Sequence, residues 1–183
     1  LLRMKRNHNV EKYRHTVRKI RSTIPNATLF TDIIVGFTGE TIEQFERTRA
    51  AMREFQYNMA FIAMYSPRPG AVSARWEDDV PHTEKRRRLH ELSSELQKIS
   101  LTYNEHLVGT EQVVLVEGHD KKAGYLSGRT EGKLIVRFAS TDIRLIGQFV
   151  RLRIDSAAPL SMEGSLVDSE PLATQLSSIQ QYG

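Results

Sequence analysis

Residues 32–41 read Asp-Ile-Ile-Val-Gly-Phe-Thr-Gly-Glu-Thr, an apolar, β-branched run that ends on a glycine turn and opens into a helix. That spacing has chemical consequences. Gly36 and Gly39 let backbone approach a ligand closely, and N–H groups left free at a helix start attract anionic or electron-rich groups. In parallel α/β folds, turns at the carboxyl ends of strands are where ligands sit. An ordinary βα turn whose glycines serve only backbone geometry fits the same residues, and spacing alone does not separate the two readings.

Two further groups of residues invite chemistry. Arg68 stands between Pro67 and Pro69, which stiffen its loop and aim a planar bidentate donor suited to a phosphate or a base edge. Tyr65, just before them, is placed to stack on a base. The plainer readings are an ion-paired Arg68 and a Tyr65 at the edge of the core. Later in the chain, Arg129, Lys133 and Arg137 fall on or near one hairpin, with Lys121 and Lys122 in a neighbouring turn. A cationic surface with an aromatic is the usual physics of RNA binding. Alternation sets Arg137 and Phe138 on opposite faces, and Phe138 is assigned to the core. Neither a catalytic residue nor a metal ligand is assigned. The chain has no Cys, and its six His show no H-x-x-H or H-E-x-x-H spacing.

The elements that must position these groups follow from periodicity. Val10, Tyr13, Val17, Ile20 and Ile24 recur at helical spacing, with Asn9 as N-cap and Pro25 as stop. Residues 28–35 predict a strand buried on both faces, as in parallel sheets. A second helix opens at Thr41, whose T-x-x-Q spacing to Gln44 makes a capping box, with Ile42, Phe45, Met52 and Phe55 turned inward. Residues 59–65 predict another buried strand. Helix, strand, helix, strand is the repeat of an α/β layer or barrel, but two units are too few to close an eight-stranded one. A long helix capped by Thr83 follows, its apolar stripe running through Leu89, Leu92, Leu96, Ile99 and Tyr103. Lys85, Arg86, Arg87 and Arg88 on its other face read first as a solvated turn and second as a nucleic-acid contact. From Gly109 the texture changes to about five short strands, with a hairpin about Glu131-Gly132, which predicts a small closed barrel of the oligonucleotide-binding kind.

The chain of 183 residues carries 26 Lys and Arg against 22 Asp and Glu, a moderate basic bias compatible with a polyanionic partner. With no apolar run of about 18 residues and no signal pattern, a cytoplasmic, non-membrane protein is expected. The first residue is Leu, and together with the shortage of β/α units this predicts that a region upstream is missing. The resulting expectation is part of a β/α barrel over residues 1–80, a linker helix over 81–106, a small barrel over 107–168 and a flexible tail over 169–183.

Asp32 to Thr41 resembles the D-I-I-V-G-F-P-G-E-T signature of the radical-SAM methylthiotransferases. Residues 65–70, Tyr-Ser-Pro-Arg-Pro-Gly, are similar to the Y-S-P-R-P-G-T of that family's tRNA-modifying branch. Met4-Lys5-Arg6 resembles its L-K-R-M-x-R, and Val108-Gly109 with residues 126–130, Leu-Ser-Gly-Arg-Thr, resembles its TRAM domain. The motifs are collinear. Thr38 stands where the family usually has Pro, and Ala71 where it usually has Thr.

The resemblance implies an α/β fold class, a partial (β/α) radical-SAM barrel, followed by an all-β, five-stranded, OB-like TRAM barrel. It implies S-adenosylmethionine contacts at Ile34, Gly36, Phe37 and Glu40, and RNA contacts at Tyr65, Arg68, Lys121, Lys122, Arg129, Lys133 and Arg137. In the complete enzyme two [4Fe–4S] clusters, held by cysteines this chain lacks, serve addition of a methylthio group to C2 of an N6-modified adenosine beside the anticodon. The expected partner is a tRNA anticodon stem-loop rather than DNA or a membrane, and the expected state is a monomer without catalysis of its own. A ribosomal-protein aspartate methylthiotransferase and a stand-alone RNA-binding module are the alternatives.

Overall fold

The computed structural model describes residues 9–167, so Met4-Lys5-Arg6 and the tail 169–183 lie outside the described residues. The chain divides into two compact units, Leu1–Glu95 and Leu96–Gly183.

In the first unit, α1 (Val10–Thr23) begins where Asn9 accepts a hydrogen bond from the Lys12 amide at 2.8 Å. Strand β1 (Phe30–Val35) leads through the glycine turn into α2 (Ile42–Phe55), whose capping box between Thr41 and Gln44 forms as the spacing predicts. Strand β2 (Met59–Met64) then pairs in parallel with β1, Ile34 beside Ala63 and Asp32 beside Phe61. Val35, Ala60, Phe45, Met52, Phe55 and Val17 make the core on one side of this two-stranded sheet.

The expectation that the strand over 28–35 is buried on both faces is overturned. Phe30, Ile34 and Phe61 are exposed, Phe61 at 65%. Right-handed crossover keeps consecutive helices on one side of a parallel sheet, and no element among the described residues covers the other side. Ile42 is likewise exposed rather than inward-facing. The long helix α3 (His82–Glu105) starts one residue before Thr83, which is therefore not its cap.

The second unit is a closed barrel of β3 (Glu111–His119), β4 (Tyr125–Thr130), β5 (Ile135–Ala139), β6 (Phe149–Ala158) and β7 (Ser161–Leu166), in the order β3-β4-β5-β7-β6. All contacts are antiparallel except β5 with β7. Read as strands one to five, this order is that of an OB-type barrel. Inward positions alternate with outward ones, and Val114, Val116, Leu126, Val136, Phe138, Leu152, Ile154 and Met162 fill the interior. Gly128 and Gly164 also face inward, where a Cβ would strike the carbonyl oxygens of Leu115 and Arg153. The hairpin between β4 and β5 forms about residues 131–134, with Lys133 in its loop at a φ of 60° rather than in the strand.

Candidate functional site

At the carboxyl ends of β1 and β2 the first unit opens a cleft of about 470 Å³ lined by Ile34, Phe37, Tyr65, Arg68, Val72 and Trp76, among others. Phe37 organises it. Its ring meets Tyr65 edge to face at 4.9 Å and Trp76 at 5.9 Å, geometries in which ring edges and faces attract. The lining is mostly carbon, with Arg68 the charged side chain among those named. Such a wall suits a flat, largely apolar group held by a few polar contacts.

Behind the cleft, a network of charges fixes the turn. Gly36 has a φ of 67°, and a Cβ there would run into the Lys85 side chain. The glycine is therefore needed for the close approach of a lysine stem. Lys85 is 3% exposed and donates from Nζ to the Tyr65 carbonyl at 3.2 Å and to both Asp78 oxygens at 2.6 Å. Arg88, equally buried, donates to the Glu40 carbonyl at 3.0 Å, to Glu40 Oε2 at 2.8 Å and to Glu84 at 2.8 Å. Glu40 in turn accepts from the Gly36 amide. The Gly39 amide donates to Asp79 at 2.7 Å, and the Thr41 amide to Gln44.

Lys85 and Arg88 thus overturn the solvated-turn reading of the basic run. They sit seven and four residues before Leu92 on one buried stripe, so the helix turns them inward, while Arg87 stays outside with Glu84 and Glu91. Hydrogen bonds from Arg87 and then Arg88 hold the Glu84 carboxyl down to about 2.

The structure gathers Ile34, Phe37, Tyr65 and Arg68 around the cleft and leaves Gly36 and Glu40 beneath it as supports. Tyr65 is only 9% exposed, with its hydroxyl donating to the Ser73 carbonyl at 3.1 Å, which ties the ring to the wall. Thr38 is buried, and its hydroxyl finds no partner among the described residues. Trp76 was not among the site residues expected from sequence. Only its three-dimensional meeting with Phe37 marks it.

In the barrel, Lys122 lies 3.7 Å over the Tyr125 ring and 3.3 Å from Glu163, which also accepts from the Tyr125 hydroxyl at 3.0 Å. Arg137 stands opposite Glu163 in the strand register and donates to Ser161. Arg129 reaches Glu117 at 3.5 Å. Lys121 and Lys122 precede β4 and Lys133 follows it, so its six residues, about 20 Å at ~3.3 Å each, separate them. The basic residues of the barrel therefore do not form one patch. Residues 105–167 hold eight Lys and Arg and eight Asp and Glu, so the basic excess of the chain lies elsewhere.

Residues 105–167, which form that barrel, match the TRAM domain family. Over almost its full length, the chain is related to the tRNA-2-methylthio-N(6)-dimethylallyladenosine synthases. It is 40% identical over 170 residues to that of Pseudomonas aeruginosa (strain UCBPP-PA14), covering 92% of this chain and 38% of the relative. With that of Cellvibrio japonicus (strain Ueda107) it shares 38% over 171 residues, 93% of this chain and 38% of the relative. The chain thus spans 38% of the length of these relatives.

Proposed function

We propose that this chain is part of a tRNA methylthiotransferase, contributing one wall of its S-adenosylmethionine site and the domain that binds tRNA. The first unit is read as two β/α units of a radical-SAM barrel. The carrying observation is the cleft, which brings two distant signature stretches, residues 32–41 and 65–70, to the carboxyl ends of paired parallel strands. The open sheet face bearing Ile34 and Phe61 is read as the barrel interior.

The lining fits the nucleoside part of S-adenosylmethionine: Phe37 and Trp76 offer ring surface, and Ile34 offers an exposed aliphatic one. Gly36 and Glu40 hold the turn that presents Phe37, rather than touching the cofactor with free amides. The chain does not fit an iron–sulfur cluster. It has no Cys, and the described residues hold no metal-binding group of His, Cys, Asp and Glu. When bound, S-adenosylmethionine supplies the methyl and radical chemistry, with the two [4Fe–4S] clusters assigned to cysteines outside this chain. Arg68 orients the substrate nucleotide from the lip of the cleft, and the buried Lys85 and Arg88 keep that lip rigid.

The substrate under this reading is an N6-modified adenosine beside the anticodon, modified at C2, in a cytoplasmic monomer. No described helix is long and apolar enough to cross a membrane. The long-range attraction for tRNA comes mainly from the first unit. On α1, Lys12, Arg18 and Lys19 are exposed and make no ion pair with another described residue.

Trp76 is the sole tryptophan, so its fluorescence reports on the cleft alone. Titration with S-adenosylmethionine is expected to change its emission saturably. Emission unchanged up to millimolar cofactor would remove the cleft from the cofactor site.

A further inference from the structure

Electroneutrality limits how the TRAM barrel can hold RNA. With eight acidic and eight basic side chains over residues 105–167, it has no net charge with which to attract phosphate. Affinity at close range must then come from stacking and from locally placed donors. The barrel has three aromatic residues. Phe138 is buried, Tyr125 is half-buried under Lys122, and Phe149 is 52% exposed.

Phe149 is the first residue of β6, pointing outward while Val150 points into the core. It pairs with Leu115 on β3, and Leu115 pairs with Arg129 on β4, so phenyl, leucine and guanidinium form one row on the outer face. Arg151 and Arg153 follow at the two-residue spacing that keeps side chains on the same face, Arg151 beside Val113, which is 47% exposed. Thus an exposed ring on an apolar floor has guanidinium groups on two sides. Arg129 and Arg151 reach only loosely to Glu117 at 3.5 Å and Glu111 at 3.8 Å. Arg153 makes no ion pair with a described residue. Exposed pairs this long contribute little, so a phosphate can replace the carboxylates at small cost.

We infer that Phe149 is a stacking platform for an unpaired nucleobase, with Arg129, Arg151 and Arg153 holding the flanking phosphates of a single strand. The ring face accepts any base, so the platform recognises single-strandedness rather than sequence. The inference rests on the RNA-binding reading above and adds the place and form of the contact. Phe149 was absent from the residues expected from sequence, where the cationic positions drew attention instead.

The test uses the full chain and two RNA probes, an oligoadenylate and a blunt RNA duplex. Phe149→Ala is expected to weaken oligoadenylate binding about 5- to 150-fold, the loss of one stacked base. The dependence on salt should keep its slope, since no charge is removed. Phe149→Trp should restore binding, and duplex binding should not change. Phe149 is exposed, so neither variant threatens the core. Oligoadenylate binding unaltered by Phe149→Ala, or equally lost in Phe149→Trp, would overturn the platform. So would a dimer of the chain that Phe149→Ala dissociates, which would assign the face to a second copy. If the unsubstituted chain binds neither RNA, the RNA-binding reading itself fails.

Discussion

Gly36 carries more of this architecture than its size suggests. Its φ of 67° is one that L side chains rarely adopt, and the Lys85 stem occupies the space a Cβ would need. Gly36→Ala therefore combines backbone strain with displacement of a buried lysine. A loss of about 2 kcal/mol is expected from the strain alone, read as a lower urea midpoint by circular dichroism. A midpoint within error of the parent would show that the turn relaxes freely. At this scale the sequence was readable where local chemistry decides. The Asn9 cap, the Thr41–Gln44 capping box and the inward-facing Phe138 all follow from neighbours one to four residues away. The partner of Gly36 is 49 residues distant, and nothing in its spacing points to Lys85.

Among the elements, α3 shows how a charge run misleads. Four consecutive basic residues suggest a wet surface, yet the helical period carries Lys85 and Arg88 onto the same stripe as Leu92 and Leu96. They are tolerated there because Asp78, Glu40 and Glu84 meet them. The network has a pH signature. Glu84 titrates at about 2 in the fold against an ordinary 4.5. A depressed carboxylate stabilises the fold fully above its unfolded value, and the contribution fades as pH falls from about 4.5 towards 2. Glu84→Gln is thus expected to lower stability at pH 7 and to flatten the acid side of the stability curve. Thermal melts between pH 7 and 2.5 would check both, and an unchanged acid limb would contradict the linkage. The strands β1 and β2 teach the converse lesson. Their apolar runs correctly predict parallel strands, but burial on both faces requires a second layer, and a run of residues cannot state whether one is present.

For the molecule as a whole, charge and architecture divide the labour. The barrel was legible as an OB-like form from the density of short strands and turns. Its charge balance was less legible, because cations stand out in a sequence while Glu163, Glu117 and Glu111, which meet Lys122, Arg129 and Arg151 across strands, do not. Counted together they cancel. The basic excess belongs to the residues before 105, with Lys12, Arg18 and Lys19 of α1 exposed and in no ion pair with another described residue. The proposed division is attraction by the first unit and close holding by the barrel.

The central claim, that this chain binds tRNA through phosphate contacts, is tested most directly by fluorescence anisotropy. The probe is a labelled tRNA anticodon stem-loop, titrated with the full chain at a series of KCl concentrations. Affinity is expected to fall linearly on a log–log plot, with a slope of about 0.7 to 0.9 for each phosphate neutralised, and reversing Lys12, Arg18 and Lys19 to Glu should shrink that slope. No binding at micromolar protein, or binding with zero slope, would contradict the account.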